Sequence, residues 1–339
     1  MQTVSEAKGS LEQFILRAAG ANSVSIKELR RMSGGAIQEN WLLDAEIEGG
    51  AHTGRLEAVL RCDAHSEVSV SHGRSEEFAL LSAAFKAGVT VPEPLWACEN
   101  RALIGRQFFV MRRIRGTAAA HLIVKNGRYG GDRKALVEQL GSQLALIHSI
   151  KPPQESLAFL PWYQEEPAIH QVTKFRSFLE THHSPHPALE WGLCWLERHS
   201  PDRGDITLCH GDFRTGNYMV DEQGLTGILD WEFASWSEPL QDIGWFCAKC
   251  WRFGHYELEA GGIGNRDDFY RGYERVAAKP IDREQVRYWE VMAHVKWAII
   301  SLQQAQRHIS GEEESLLLAL TAHVTPELEY EILNMTESD

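Results

Sequence analysis

The chain lacks any apolar stretch of about 18 residues, so no membrane-spanning helix is expected. It also lacks a run of Lys and Arg. Its 34 basic residues face 47 acidic ones, for a formal net charge of -13. An acidic chain without a basic patch repels nucleic acid and anionic membranes, so neither is an expected partner. Segment 1–10 has neither the basic start nor the apolar core of a secretory signal. The six cysteines have no framework spacing, which in a chain this long points to reduced thiols and a cytoplasmic protein. No internal repeat or low-complexity tract is present.

What is there is ordinary soluble composition, 43% hydrophobic and 24% charged over 339 residues, enough for two lobes. The acid excess is put down to solubility. An acidic cleft for a cationic substrate is the sharper alternative.

The first third reads as hairpins with little helix. Leu11–Ala19 has helical spacing. Two β-like runs, Ile37–Ile47 and Arg55–Arg61, flank Glu48-Gly49-Gly50, which predicts a hairpin. Ser33-Gly34-Gly35 lies at the start of the first run. Ser75–Ala87 reads as a helix, stopped by Val91-Pro92-Glu93-Pro94. Strands are predicted at Leu95–Cys98 and Gln107–Met111.

After Arg115-Gly116 helices dominate. They are predicted at Asp132–Ile150, Pro187–His199, Leu240–Phe253, Glu284–His308 and Glu313–Ala322. Three short β-like pieces interrupt them at Ile206–Cys209, Tyr218–Asp221 and Thr226–Leu229. These pieces surround His210-Gly211-Asp212-Phe213-Arg214-Thr215-Gly216-Asn217, and the third leads into Asp230-Trp231-Glu232. The expected division is 1–115 and 116–339.

A β-rich lobe with a glycine turn, then a helical lobe with His-Gly-Asp-x-x-x-x-Asn, resembles the protein-kinase-like fold. That is an α+β, bilobal fold with a small β-rich N-lobe and a larger, mainly helical C-lobe. Catalysis there is positioning plus charge neutralisation. His210–Arg214 and Leu229–Glu232 resemble the aminoglycoside phosphotransferase family. So do Pro239–Trp245, Trp251–Gly254 and Tyr288-Trp289-Glu290. The pattern is most similar to the kinase domain that accompanies some acyl-CoA dehydrogenases.

The resemblance implies a small-molecule kinase with ATP or GTP and Mg2+ as cofactors and a small hydroxylated molecule as partner. Asp212 would orient the attacking hydroxyl, while Asn217 and Asp230 would hold metal. Mg2+ favours such hard oxygen ligands. Ser33, Gly34 and Gly35 would cover the nucleotide, with a plain hairpin entry as the alternative. Arg61 stands where the pattern has a lysine, and its fork is not equivalent to a point charge. Its expected ion-pair partner is Glu77, with Glu76 adjacent. Met111 and Arg112 would meet the adenine. Asp242 and His210 would brace the loop.

Other features stay open. Glu232 assists metal or substrate, or makes a structural hydrogen bond. Trp245 and Trp251 wall a substrate pocket or pack in the core. Arg252 contacts a substrate anion or forms a salt bridge. Cys247-Ala248-Lys249-Cys250 spells CxxC, but without a second pair two helical thiols are the favoured explanation. His182, His183 and His186 read as a polar surface loop. The acceptor is not specified, since fold does not fix substrate. The Trp and Arg content of 245–252 leans away from aminoglycosides. A catalytically silent nucleotide-binding protein is the other-class alternative, and it would ordinarily lack Asp212 or Asp230.

Overall fold

The computed structural model describes residues 4, 7–32, 38–63, 71–125, 127–162, 165–277 and 279–337. Contacts divide the chain into two compact units. One holds 1–118, 153–159 and 217–234; the other holds 119–152, 160–216 and 235–339. Segments 153–159 and 217–234 thus join the first unit.

In chain order the elements are α1 (Lys8–Ala18), β1 (Ser23–Arg31), β2 (Gln38–Glu48), β3 (Gly54–Asp63), α2 (Arg74–Lys86), β4 (Pro94–Cys98) and β5 (Phe108–Arg112). Then come α3 (Ala120–Lys125), α4 (Arg133–His148), α5 (Pro167–Thr181), α6 (Pro187–Arg198), β6 (Thr207–Cys209), β7 (Tyr218–Val220), β8 (Leu225–Ile228) and β9 (Ser235–Ser237). The chain continues with α7 (Pro239–Cys247), α8 (Arg266–Ala277), α9 (Arg283–Ile309), α10 (Leu316–Thr321) and α11 (Thr325–Thr336).

The first unit is built on an antiparallel sheet in the order β1-β2-β3-β5-β4. Gly49 and Gly50 make the β2–β3 turn with φ of 79° and 75°, a region that favours glycine. A Cβ on Gly50 would lie 2.3 Å from the Ala19 carbonyl oxygen. Leu11 and Ile15 of α1 close one face, packed in one cluster with Ile26, Leu43, Leu56 and Val110. Glu76 accepts from the Gly73 N–H at 2.9 Å, which secures the start of α2. The β7–β8 hairpin is held by hydrogen bonds Ile228 N to Thr90 O and Thr117 N to Val220 O.

In the second unit, Asp132 caps α4 and Asp282 caps α9 through their carboxylates. Proline opens α5, α6, α7 and α11, where no N–H partner is needed. Helices α4 and α8 cross closely because each presents a glycine. A Cβ on Gly141 would lie 2.1 Å from Phe269 O, and one on Gly272 would lie 1.9 Å from Glu138 O. That approach brings Tyr273 to His148, Nδ1 to OH at 2.9 Å. Gly244 does the same between α7 and α9, against Trp289. A hydrophobic cluster of this unit joins Phe175, Leu189, Leu193, Trp289, Val295 and Ile332; each such burial contributes roughly 1.5–3 kcal/mol. Among the described residues, no helix is long and apolar enough to cross a membrane.

Several boundaries differ from expectation. The helix expected over 240–253 stops at Cys247, because Ala248 turns extended (ψ 140°), and a 3-10 turn covers Lys249–Trp251. The helix expected over 313–322 is the shorter α10. Elements β1, α3, α5, β9, α8 and α11 have no counterpart among the expected ones. Strand β1 buries only Ile26 fully, so its period-2 signal is nearly absent. Half of helix α8 is charged, and it buries Phe269, Tyr270, Gly272 and Tyr273. The stripe Ala168, Val172, Phe175, Leu179 of α5 does carry helical spacing.

Candidate active site

The first unit encloses a cavity of about 580 Å3, in the size range of small-molecule sites. Arg61, Glu77, Met111, Arg112, Asp230 and Glu232 are in its wall. Arg61 is near the end of β3 and is 7% exposed. Its Nε meets Glu77 Oε1 at 2.9 Å and its Nη2 lies 3.1 Å from Asp230 Oδ1. Glu77 is thus the carboxylate that receives Arg61, and it also accepts from Arg74. Glu76 is spent on the start of α2. Burial opposes the charge of Arg61, but Glu77, Asp230 and Glu232 outweigh it and push its pKa up.

Asn217 and Asp230 are brought together by the β7–β8 hairpin. Tyr218 pairs with Ile228, and beyond that pair the Leu229 N–H donates to Asn217 O at 2.8 Å. The two residues therefore stand at the same end of one ribbon. Asp230 adopts a left-handed conformation (φ 60°, ψ 65°), a strain seen where function demands a particular backbone. Its carboxylate is 36% exposed. A carboxylate and a carboxamide are hard oxygen donors, so this pair fits Mg2+. Glu232 is buried, and its carbonyl accepts from His72 N at 3.0 Å.

Met111 and Arg112 end β5. Arg112 Nε donates to Glu93 Oε2 at 2.6 Å. Ser33, Gly34 and Gly35 lie outside the described residues.

The loop 210–216 belongs to the second unit. Its backbone is held by Asp242 of α7. His210 N donates to Asp242 Oδ2 at 2.6 Å, and Gly211 N donates to Oδ1 at 2.9 Å. Asp242 is fully buried and also meets His148 Nε2 at 3.2 Å. Burial raises its pKa, but the hydrogen bond and charge of His148, the charge of His210 and the Gly211 N–H outweigh this, and the carboxylate is held below its usual range. His210 is itself buried and its Nδ1 accepts from Asp212 N at 3.3 Å. Gly211 takes φ 81°, which lets the chain turn at Asp212.

Asp212 Oδ1 accepts from Trp245 Nε1 at 2.8 Å and from Arg214 Nε at 3.0 Å. Trp245 is 3% exposed and tilts against Trp251. Arg214 lies over the Trp251 ring at 4.7 Å, and Lys296 Nζ over the Trp245 ring at 4.3 Å. Such placements are cation–π contacts. Arg252 is turned to protein groups: it donates to Cys247 O and Tyr256 O, and pairs with Glu290 at 3.5 Å. The salt-bridge alternative describes that placement. All six cysteines are free thiols, and burial pushes Cys247 up to about 12.

Sequence inspection missed the partners of the loop: His148, Lys296 and the grip of Trp245 on Asp212. Lys296 did carry a signal, as a lone cation in His294-Val295-Lys296-Trp297-Ala298-Ile299-Ile300. Among the described residues, His148, Cys209 and Asp242 could supply a metal-ligand cluster. Asp242 there already accepts from His210 and Gly211.

The model of the APH phosphotransferase enzyme family matches residues 28–279. Acyl-CoA dehydrogenase family member 10 of Mus musculus is 24% identical over 93% of this chain and 30% of its own length. Family member 11 of Pongo abelii is 26% identical over 74% of this chain and 34% of its own. The chain therefore spans about a third of these curated relatives.

Among solved structures, an assigned aminoglycoside phosphotransferase from Ralstonia eutropha aligns with TM-score 0.74 at 17% identity, covering 97% of this chain and 98% of that one. A thermostable mutant of aminoglycoside phosphotransferase APH(4)-Ia, in ternary complex with ADP and hygromycin B, aligns at 0.62 and 16% identity, covering 97% and 100%. Spectinomycin phosphotransferase APH(9)-Ia with ADP and spectinomycin aligns at 0.60 and 15%, covering 97% and 98%. At such identities the likeness shows the fold, which is the kinase-like α+β fold expected from the sequence.

Proposed function

The chain belongs to the APH phosphotransferase enzyme family, and from that premise we propose that it transfers the γ-phosphate of ATP or GTP to a hydroxyl of a small molecule. The observation that carries this is the β7–β8 hairpin, with Asn217 and Asp230 at one end of it and Asp230 ion-paired to Arg61. A bound Mg2+ would neutralise phosphate charge, held by Asn217 and Asp230. The first unit takes the nucleotide, with Met111 and Arg112 toward the base and Arg61 alongside the phosphates. ADP in the neighbours' complexes supports a nucleotide here.

Asp212 orients the acceptor hydroxyl and receives its proton as the acceptor oxygen bonds to the γ-phosphorus. The bond from that phosphorus to the bridging oxygen breaks, and the nucleoside diphosphate leaves. His210 and Asp242 hold the loop. Glu232 and Trp251 are kept for the acceptor's surroundings, whereas Arg252 is committed to Glu290 and to backbone carbonyls. The free thiols support a reducing, cytoplasmic setting.

An acceptor that is not a polycation is favoured. The Trp245 and Trp251 faces are covered by the protein's own cations, Lys296 and Arg214. An added cation near them meets like charge. Aminoglycoside resistance conferred by the expressed chain would overturn that preference.

The experiment is a screen of hydroxylated metabolites and antibiotics, read as ADP or GDP release with Mg2+. Asp212→Ala and Asp230→Ala are expected to abolish turnover in a folded protein. Full activity in either variant sinks the assignment. A catalytically silent protein would instead bind nucleotide and release no diphosphate.

A further inference from the structure

We propose that Lys296 is a positioning residue for Asp212, acting through the Trp245 ring and the Gly211 peptide. This rests on the phosphotransferase reading of Asp212. The observation is geometric. Lys296 Nζ donates to Gly211 O at 2.7 Å. The same ammonium lies 4.3 Å from the centre of the Trp245 ring, and the indole N–H of that ring donates to Asp212 Oδ1 at 2.8 Å. One side chain of α9 therefore touches both the peptide that precedes Asp212 and the group that grips its carboxylate.

Each contact limits a different freedom. The Gly211 N–H is held by Asp242 and its carbonyl by Lys296, so the two peptide groups that flank the Gly211 Cα are both pinned. Gly211 sits in the left-handed region, φ 81°, where a released glycine has many other conformations to visit. The Trp245 ring is buried, packed on Trp251 at 5.1 Å, and held on its face by the ammonium. With the peptide and the ring both fixed, the Asp212 carboxylate has little room to turn.

Lys296 touches no atom proposed to react. Burial lowers its basicity, against the attraction of Asp212 and Asp242, as befits a cation kept in place by packing. Removing it would let the carboxylate drift. A drift of about 1 Å at a reacting group costs roughly 100-fold in rate.

The test uses the whole chain with MgATP and water as the phosphate acceptor, read as ADP release, so that no acceptor need be known. Lys296→Met and Trp245→Phe are each expected to lower kcat about 10- to 100-fold, with KM for MgATP within about twofold. The double variant is expected to be no slower than the slower single one, because both act through one contact. Lys296→Arg should recover a good part of the rate.

A second readout is the exchange of the Trp245 indole proton, identified by its loss in Trp245→Phe. It should exchange at least about tenfold faster in Lys296→Met. Losses that multiply in the double variant, an unchanged indole exchange, or kcat within twofold of the parent would overturn the proposal. If Lys296→Met does not fold, Trp245→Phe and Lys296→Arg decide by the same kcat and KM criteria. Retained activity in Asp212→Ala would instead overturn the phosphotransferase reading itself.

Discussion

Arg61 of β3 holds Asp230 of the loop after β8, guanidinium Nη2 to carboxylate Oδ1 at 3.1 Å, while its Nε meets Glu77 of α2. One arginine thus joins strand, helix and loop around the wall of the cavity. The charge on Arg61 is secured by the three carboxylates near it, so it stays protonated at any working pH.

Arg61→Met should therefore do two things. Glu77 and Asp230 would be left without this partner, and breaking a buried pair costs about 3–5 kcal/mol. The cost is expected near the low end, because Glu77 keeps Arg74. Urea unfolding midpoints measure it. Nucleotide KM should rise at least about tenfold, the effect of losing one charge-assisted phosphate contact. A nucleotide KM unchanged in a folded variant would remove Arg61 from the phosphate site.

Gly244→Ala should destabilise strongly. A Cβ there would sit 2.5 Å from the Trp289 Cβ and 2.6 Å from its carbonyl carbon. Helices α7 and α9 would have to part, and overpacking of this kind costs about 1–3 kcal/mol or more. Because α7 carries Asp242 and Trp245, activity should fall beyond what the loss of folded protein explains. Thermal melting and specific activity per folded molecule measure the two effects separately.

His294 predicts an acid-sensitive stability. It is 1% exposed, with Nδ1 at 2.7 Å from Glu290 O. Burial lowers its pKa from 6.5 to about 4, although the Glu290 carbonyl and Glu331 pull the other way. The folded value lies below the unfolded one, so the unfolded chain takes up the proton first as pH falls. Stability from this group is complete above about 6.5, declines between 6.5 and 4, and declines no further below that. The loss is on the order of 3 kcal/mol. His294→Gln should flatten the pH dependence of the urea midpoint in that window.

The CxxC pair should be chemically quiet. Burial pushes the Cys247 thiol up to about 12, and thiolate is the reactive form. Cys247→Ser is expected to keep turnover within about twofold, since a buried thiol touches no proposed reacting group. Native protein should modify at Cys247 with iodoacetamide far more slowly than unfolded protein. Rapid alkylation or lost turnover would revive the redox alternative.

The sequence by itself determined the likeness to the phosphotransferase family, the hairpin of β2 and β3, and helices α2, α4 and α9. These rest on local patterns: Asp212 and Asn217 at fixed spacing, Asp230 after an apolar strand, glycines in a turn, apolar residues at helical period. Such signals survive because they involve neighbours in the chain. Strand β1 was hard to see for the opposite reason, since it buries so little that the surface pattern hides the period.

Only the tertiary structure decided what holds the site. Glu77 rather than Glu76 receives Arg61, because the first turn of α2 uses Glu76 to bind Gly73. Arg252 turns toward Glu290, and Trp245 toward Asp212. Lys296 reaches Gly211 from a helix far along the chain. In the second unit close glycine contacts at Gly141, Gly244 and Gly272 bring helices together, and burial in either unit requires each polar group to find the partner that packing supplies.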